Sequence, residues 1–271
     1  MATGAHPLER KHSKRLKEGI DEMQLENKIA VVTGAGGGIG EGYATRIAQE
    51  GATVVVVDLN EEGGQRVVSE IEAKGGKAVF QRCDVASVED AAKLAAFIDG
   101  KFGGLDFLVN NAAIFADLQY VSLMTVDLDY YDKVQRVNMT SPLIMTRALA
   151  PLMQKRGGGS IVNQTSTAAW VRNGGFYGVF KLGLNGITTN LAMELGDLNI
   201  RVNAIAPGPT DTPGLRKVPK EMIDAIIQNN AIKRVGSTDD MAAAAIFLLS
   251  DQASWITGQV ICVDGGFMMR P

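Results

Sequence analysis

Seven short apolar runs punctuate this chain between Lys28 and its carboxyl end, and the segments between them have helical character. The runs are KIAVVTG (28–34), ATVVVVD (52–58), KAVFQRCD (77–84), LDFLVNN (105–111), SIVNQTS (160–166), IRVNAIAP (200–207) and QVICVDGG (259–266). Helices are expected from Gly38 to Glu50, near 61–74 and 87–102, over a long stretch of about 126–156, from Phe176 to Leu195, and near 238–250. A strand with one wet face alternates polar and apolar residues. These runs stay apolar, so each is covered on both faces, and helical connections between them make the strands parallel. The alternation never stops, which predicts one doubly wound α/β domain over residues 25–271. Residues 207–235 break the rhythm with four prolines around one short helical run, and are expected to form a lid or binding loop.

Composition narrows the chemistry. Both histidines, His6 and His12, lie in the first dozen residues. Residues 1–22 are highly charged with mixed signs, and residues 1–24 are expected to be a solvated extension. A domain without histidine excludes a Ser-His-Asp hydrolase and a His-ligated zinc site. A net charge of −3 gives no basic stripe for nucleic acid, and no apolar run is long enough for a membrane span. Cys83 and Cys262 stand far apart, suggesting a reducing, cytoplasmic setting and no metal centre.

The first run leads into VVTGAGGGIG (31–40) and then a helix, the context a dinucleotide-binding glycine loop requires. Gly34 permits the tight turn. Gly37, Gly38, Ile39 and Gly40 open the helix, whose free N–H groups and partial positive charge suit a pyrophosphate. Asp58 ends the second strand, eighteen residues after Gly40, with Leu59 beside it. A carboxylate there accepts hydrogen bonds from the ribose hydroxyls and repels a 2′-phosphate. Positions 35–37 carry no Arg or Lys, so the expected cofactor is NAD over NADP. The competing reading is that Asp58 caps the next helix.

Tyr177 and Lys181 stand four apart in FYGVFK, on one face of a helix. About one sequence in four of this composition would carry such a pair by accident. Its company is more specific: Thr33-Gly34-x-x-x-Gly38-x-Gly40, Asp84-Val85, Asn110-Asn111-Ala112, Asn138, Ser166, Pro207-Gly208 and Val263-Asp264-Gly265-Gly266. With these the chain resembles the short-chain dehydrogenase/reductases from about residue 25 to its end. The resemblance implies a Rossmann-type fold and an NAD-dependent enzyme acting on a secondary alcohol or ketone. It implies that Asn138, Ser166, Tyr177 and Lys181 form the catalytic set. Asp84 and Val85 would meet the adenine, Asn111 and Ala112 the ribose, and Pro207, Gly208, Thr210 and Thr212 the nicotinamide end. It also implies a homotetramer. Two features depart from the family: Ala113 replaces a usual glycine, and Ser166 and Tyr177 are only eleven residues apart. Thr165 and Thr167 flank Ser166 as neighbouring hydroxyls.

A free tyrosine, with a pKa of about 10, is a poor base at neutral pH. A nearby ammonium and a positive nicotinamide both favour the phenolate, and Lys181 is placed to supply the first. Pro142 has no N–H for the Asn138 carbonyl four residues back, so a kinked helix and a carbonyl free to hold a water near Lys181 are expected. Phe115, Thr167, Trp170, Phe176 and Leu215 are the candidate lining of an apolar pocket for a small-molecule, cyclic alcohol. A 3-oxoacyl reductase acting on a carrier protein or CoA is the alternative within the class. A non-catalytic NAD(H)-sensing or scaffold protein is the alternative outside it.

Overall fold

The computed structural model describes residues 23–172 and 174–269, and residues 1–22 lie outside the described residues. The elements follow as β1 (Ile29–Thr33), α1 (Gly38–Gln49), β2 (Thr53–Asp58), α2 (Glu61–Ala73), β3 (Lys77–Arg82), α3 (Val88–Phe102) and β4 (Phe107–Asn110). Then come α4 (Leu128–Gln135), a π-helical segment (Arg136–Thr140), α5 (Ser141–Lys155), β5 (Gly159–Gln164), α6 (Gly175–Glu194) and β6 (Ile200–Pro207). The last are α7 (Lys220–Asn229), α8 (Thr238–Leu249) and β7 (Val260–Val263). All seven strands are parallel, in the order β3-β2-β1-β4-β5-β6-β7. The expected doubly wound sheet is therefore the observed one.

The valine run of β2 shows why these strands are apolar throughout. Val54 and Val56 enter one core with Tyr43, Ile47, Met241 and Leu249, while Val55 and Val57 enter the other with Leu94, Ile98 and Leu149. Successive side chains point to opposite faces, so a sheet sandwiched by helices has no position for a solvated residue in its central strands. The strand order reverses between β1 and β4. Connections leave in opposite directions there and open a crevice beyond the carboxyl ends of the strands.

Four of the eight described α-helices are closed at their start by a side chain. Asn60, Ser87 and Asp127 cap α2, α3 and α4, and Ser237 with Asp240 forms a capping box on α8. No side chain caps α1, whose amino end follows Gly37 and opens beside the crevice. The long helix expected over 126–156 is interrupted. The Ser141 N–H bonds the Arg136 carbonyl, five residues back, so the wide turn precedes Pro142. A proline that offers no N–H leaves the turn before it free to loosen.

Buried polar side chains link the sheet to α6. Asn110 on β4 donates to Asn163 Oδ1 on β5 at 2.9 Å, Asn163 donates to Thr188 Oγ1 at 3.0 Å, and Thr188 donates to the Leu184 carbonyl at 2.8 Å. Replacing Asn163 by Ala strands partners on both sides. We expect a loss of about 1–3 kcal/mol in urea unfolding, the cost of unsatisfied buried polar groups, and an unchanged midpoint would contradict this account.

Candidate active site

The site begins with how closely α1 approaches β1. A Cβ on Gly40 would overlap the Gly34 carbonyl, and one on Gly34 would lie 2.7 Å from Ala112 Cα. At φ +63° Gly34 also takes a left-handed turn that disfavours a side chain. Asn111 locks this packing from β4 by donating from Nδ2 to the Thr33 carbonyl at 2.8 Å and the Gly34 carbonyl at 3.0 Å. Thr33 Oγ1 accepts in turn from the Asn111 and Ala112 N–H groups at 3.0 and 3.1 Å. The Asn111 amide is thus spent on bracing the turn, and its neighbour Ala112 packs against the core beside it.

The next two glycines behave differently. A Cβ on Gly37 would meet nothing within 4 Å, and one on Gly38 would meet only Thr212, at 3.8 Å. Open space over a glycine loop, bounded by an uncapped helix start, is a cradle for phosphate groups. These residues fit a dinucleotide. Ile39 turns away from the cradle and packs on the core, and Pro207 is buried beneath it.

Asp58 lies at the edge of this cradle. Its Oδ2 accepts from the Gly36 N–H at 2.8 Å and its Oδ1 from the Asn60 N–H at 2.9 Å. Asn60, not Asp58, caps α2 through Gly63 at 3.1 Å, so the capping alternative falls. Leu59 is exposed beside it. Asp84 lies in the loop after β3, its Oδ1 accepting from the Ala86 N–H at 2.9 Å, and Val85 is buried next to it.

Across the crevice, the Ser166 hydroxyl, which accepts from the Ala168 N–H at 3.1 Å, lies within reach of Tyr177. The three adjacent hydroxyls are sorted by their partners. Thr165 Oγ1 donates to the Lys181 carbonyl at 2.9 Å and Thr167 Oγ1 to the Pro207 carbonyl at 3.1 Å, whereas Ser166 is directed at Tyr177. Lys181 is 2% exposed; its Nζ donates to the Gln164 carbonyl at 2.8 Å and lies 5.7 Å from the centre of the Tyr177 ring. Burial lowers its pKa from 10.5 to about 7. Burial also raises that of Tyr177, and the Ser166 hydrogen bond only partly opposes it. Desolvation is thus the largest influence on both groups. Asn138 is buried and pairs with the main chain of Ile114, accepting its N–H at 2.7 Å and donating to its carbonyl at 3.0 Å.

Two residues expected to line a substrate pocket do not. Phe176 is 2% exposed and packs its ring against Tyr130, Tyr131 and Phe180. Thr167 is buried with its hydroxyl on Pro207. Phe115 lies beside Tyr177, with ring centroids 5.7 Å apart. Leu215 lies in the lid and, like Trp170, is half-buried. The lid is fastened at its base: Gly236 N–H donates to the Pro209 carbonyl, Asp211 N–H to the Gly236 carbonyl, and Gly208 N–H to the Val263 carbonyl. Thr210 is buried in this fastening, donating to the Gly208 carbonyl at 3.0 Å. Further out, Lys217 pairs with Asp117 at 2.7 Å, and a Cβ on Gly214 would lie 3.4 Å from the Phe115 ring. Residues 214–217 thus meet the loop after β4 at Phe115 and Asp117. Neither Asp117 nor Gly36 was singled out by sequence reasoning, nor was Arg66, whose Nη2 donates to the Gly36 carbonyl at 3.3 Å.

A family model described as enoyl-(acyl carrier protein) reductase matches residues 34–268. An uncharacterized oxidoreductase of Mycobacterium tuberculosis is 52% identical over 91% of this chain and 99% of its own length. The human dehydrogenase/reductase SDR family member 4 is 39% identical over 91% of this chain and 89% of its own. Among solved structures, a 7α-hydroxysteroid dehydrogenase complexed with NADH and 7-oxo glycochenodeoxycholic acid superposes with a TM-score of 0.85. It is 38% identical, and the match covers 91% of this chain and 96% of that one.

The buried Lys181 makes stability depend on pH. Its folded pKa, about 7, lies below its unfolded value of 10.5. Between the two the unfolded chain binds more protons, so this group adds stability as pH rises from about 7 toward 10. Urea unfolding of the cofactor-free protein at pH 7, 8 and 9 should show wild type gaining on Lys181→Met by about 1 kcal/mol per pH unit. A difference that stays flat would mean that Lys181 is not held neutral by burial.

Proposed function

The chain belongs to the short-chain dehydrogenase/reductase family and transfers hydride between an alcohol or ketone and a nicotinamide cofactor, and we propose that it does so with Tyr177 as general acid and base, with NAD(H), on an apolar cyclic secondary alcohol or its ketone. The observation that carries this reading is the convergence of the Ser166 and Tyr177 hydroxyls beside a buried Lys181.

A bound nicotinamide supplies the hydride acceptor or donor. Gly37, Gly38 and the amino end of α1 would hold the pyrophosphate, Asp58 the adenosine ribose, Asp84 and Val85 the adenine, and Thr210 with Thr212 the nicotinamide end. Ser166 orients the substrate oxygen by hydrogen bonding. Tyr177 removes the hydroxyl proton in oxidation and returns one to the carbonyl oxygen in reduction. Burial keeps the Tyr177 phenol protonated, the form in which it can give a proton to the carbonyl oxygen in reduction, and positive charge beside it would favour the phenolate needed for oxidation. Lys181 supplies part of that charge when protonated. Asn138 positions the segment after β4 through Ile114 and so keeps Phe115 against Tyr177.

NAD over NADP is supported by the Asp58 carboxylate at the cradle edge and by the NADH bound to the similar 7α-hydroxysteroid dehydrogenase. That relative's ligand also supports a ring-bearing substrate, as do Phe115, Trp170 and Leu215 around the opening. Assembly as a homotetramer is supported by an exposed apolar face on α6, where Val179, Leu182 and Met193 lie open. None of the described helices is long and apolar enough to cross a membrane.

Turnover with NAD⁺ and NADP⁺ should be measured on secondary alcohols that include hydroxysteroids. NAD⁺ is expected to be the better cofactor, and Tyr177→Phe should lower turnover by about a thousandfold, the scale of general acid–base catalysis, while still binding NADH. Undiminished turnover in that variant would refute the role given to Tyr177. Light scattering of the purified protein should return the mass of four chains; a monomer would remove the tetramer from this reading.

A further inference from the structure

Arg66 sits on α2, one turn beyond Gly63, and reaches back over the nucleotide loop. Its Nη2 donates to the Gly36 carbonyl at 3.3 Å and to Glu41 Oε2 at 2.7 Å. Its Nη1 donates to Glu41 Oε1 at 2.9 Å and Glu70 Oε1 at 2.8 Å. The other side of Gly36 faces Asp58, whose Oδ2 accepts the Gly36 N–H. One glycine therefore separates the guanidinium from the carboxylate assigned to the ribose hydroxyls.

This proximity is built into the packing. A Cβ on Gly63 would lie 2.6 Å from the Gly36 carbonyl oxygen, one on Gly36 would lie 3.0 Å from Asp58 Cγ, and one on Gly64 would overlap the Phe80 ring. Three missing side chains let the first turn of α2 rest on the loop, and Arg66 takes its place from that contact. Glu41, in the first turn of α1, meets it from the opposite side in a bidentate pair.

We propose that Arg66 is a specificity-determining residue: it is the cation that answers to the cofactor's 2′ position, and Glu41 and Glu70 set how much of its charge is on offer. The inference rests on the assignment of Asp58 to the adenosine ribose. With both glutamates in place the guanidinium is neutralised, and a 2′-phosphate meets the Asp58 carboxylate uncompensated. With Glu41 neutral, the planar fork of Arg66 has a free edge of the geometry that phosphate oxygens fit.

The test compares kcat/KM for NAD⁺ and NADP⁺, and the Kd of NADH and NADPH by fluorescence, in wild type, Glu41→Gln, Arg66→Gln and the double variant. Glu41→Gln should raise the NADP⁺-to-NAD⁺ ratio about tenfold, as expected for one charge gained near a partly exposed phosphate. Adding Arg66→Gln should cancel that gain. An unchanged ratio in Glu41→Gln would overturn the proposal. So would a gain that persists in the double variant, because removing any acid nearby would then suffice. The Asp58 assignment fails separately, if wild type prefers NADP⁺. In that event a selective loss of NADP⁺ use in Arg66→Gln still supports the role of Arg66, and no loss sinks it.

Discussion

The contact between Gly40 and the Gly34 carbonyl sets the rest of the carboxyl edge. It lets α1 start almost on top of the end of β1, with its amino end opening onto the crevice. A single methyl group there would push the helix away and carry the cradle with it. Asn111 and Thr33 then tie this corner to β4 across the strand reversal. Because β4 also leads into Ile114 and Phe115, the same bracing reaches the catalytic side through Asn138. The glycine turn and the segment that carries Phe115 are in this way both braced by side-chain amides, those of Asn111 and Asn138.

On the catalytic side burial is the dominant force. Lys181 and Tyr177 are both pushed toward their neutral forms by desolvation, the lysine down and the tyrosine up. On the proposed reading, a nicotinamide beside Tyr177, positive only when oxidised, would supply the charge that favours the phenolate.

Much of this was legible in the sequence because burial on both faces leaves a strand no freedom of composition. The β2 valines could belong to nothing else, and the glycine loop was readable because it joined such a strand to a helix. Asn138, Ser166, Tyr177 and Lys181 carry a signal as a set and not singly, and their catalytic role stands as a proposal. Phe176 was misread because neighbours on a helix diverge by about 100°: the residue next to Tyr177 points into the aromatic cluster, as its i+4 partner Phe180 could have indicated. Thr167 was misread because its hydroxyl is claimed by the Pro207 carbonyl, forty residues away in the chain. Arg66 was invisible for a similar reason. Its place depends on the fit of Gly63 and Gly64 against Gly36 and Phe80, a contact between three separate segments that no local pattern encodes.

The uncapped start of α1 has one more consequence. The helices α2, α3, α4 and α8 complete their first turn with a side chain of their own, but α1, like α5, α6 and α7, does not, and its leading N–H groups open beside the crevice. On the proposed seating, a dinucleotide would cap them. It would thereby become part of the folded state's own bonding, and each tenfold rise in its free concentration above Kd would add about 1.4 kcal/mol to the resistance of the chain to unfolding. The supply of nucleotide in the surroundings governs not only how fast such a protein works but how long it lasts.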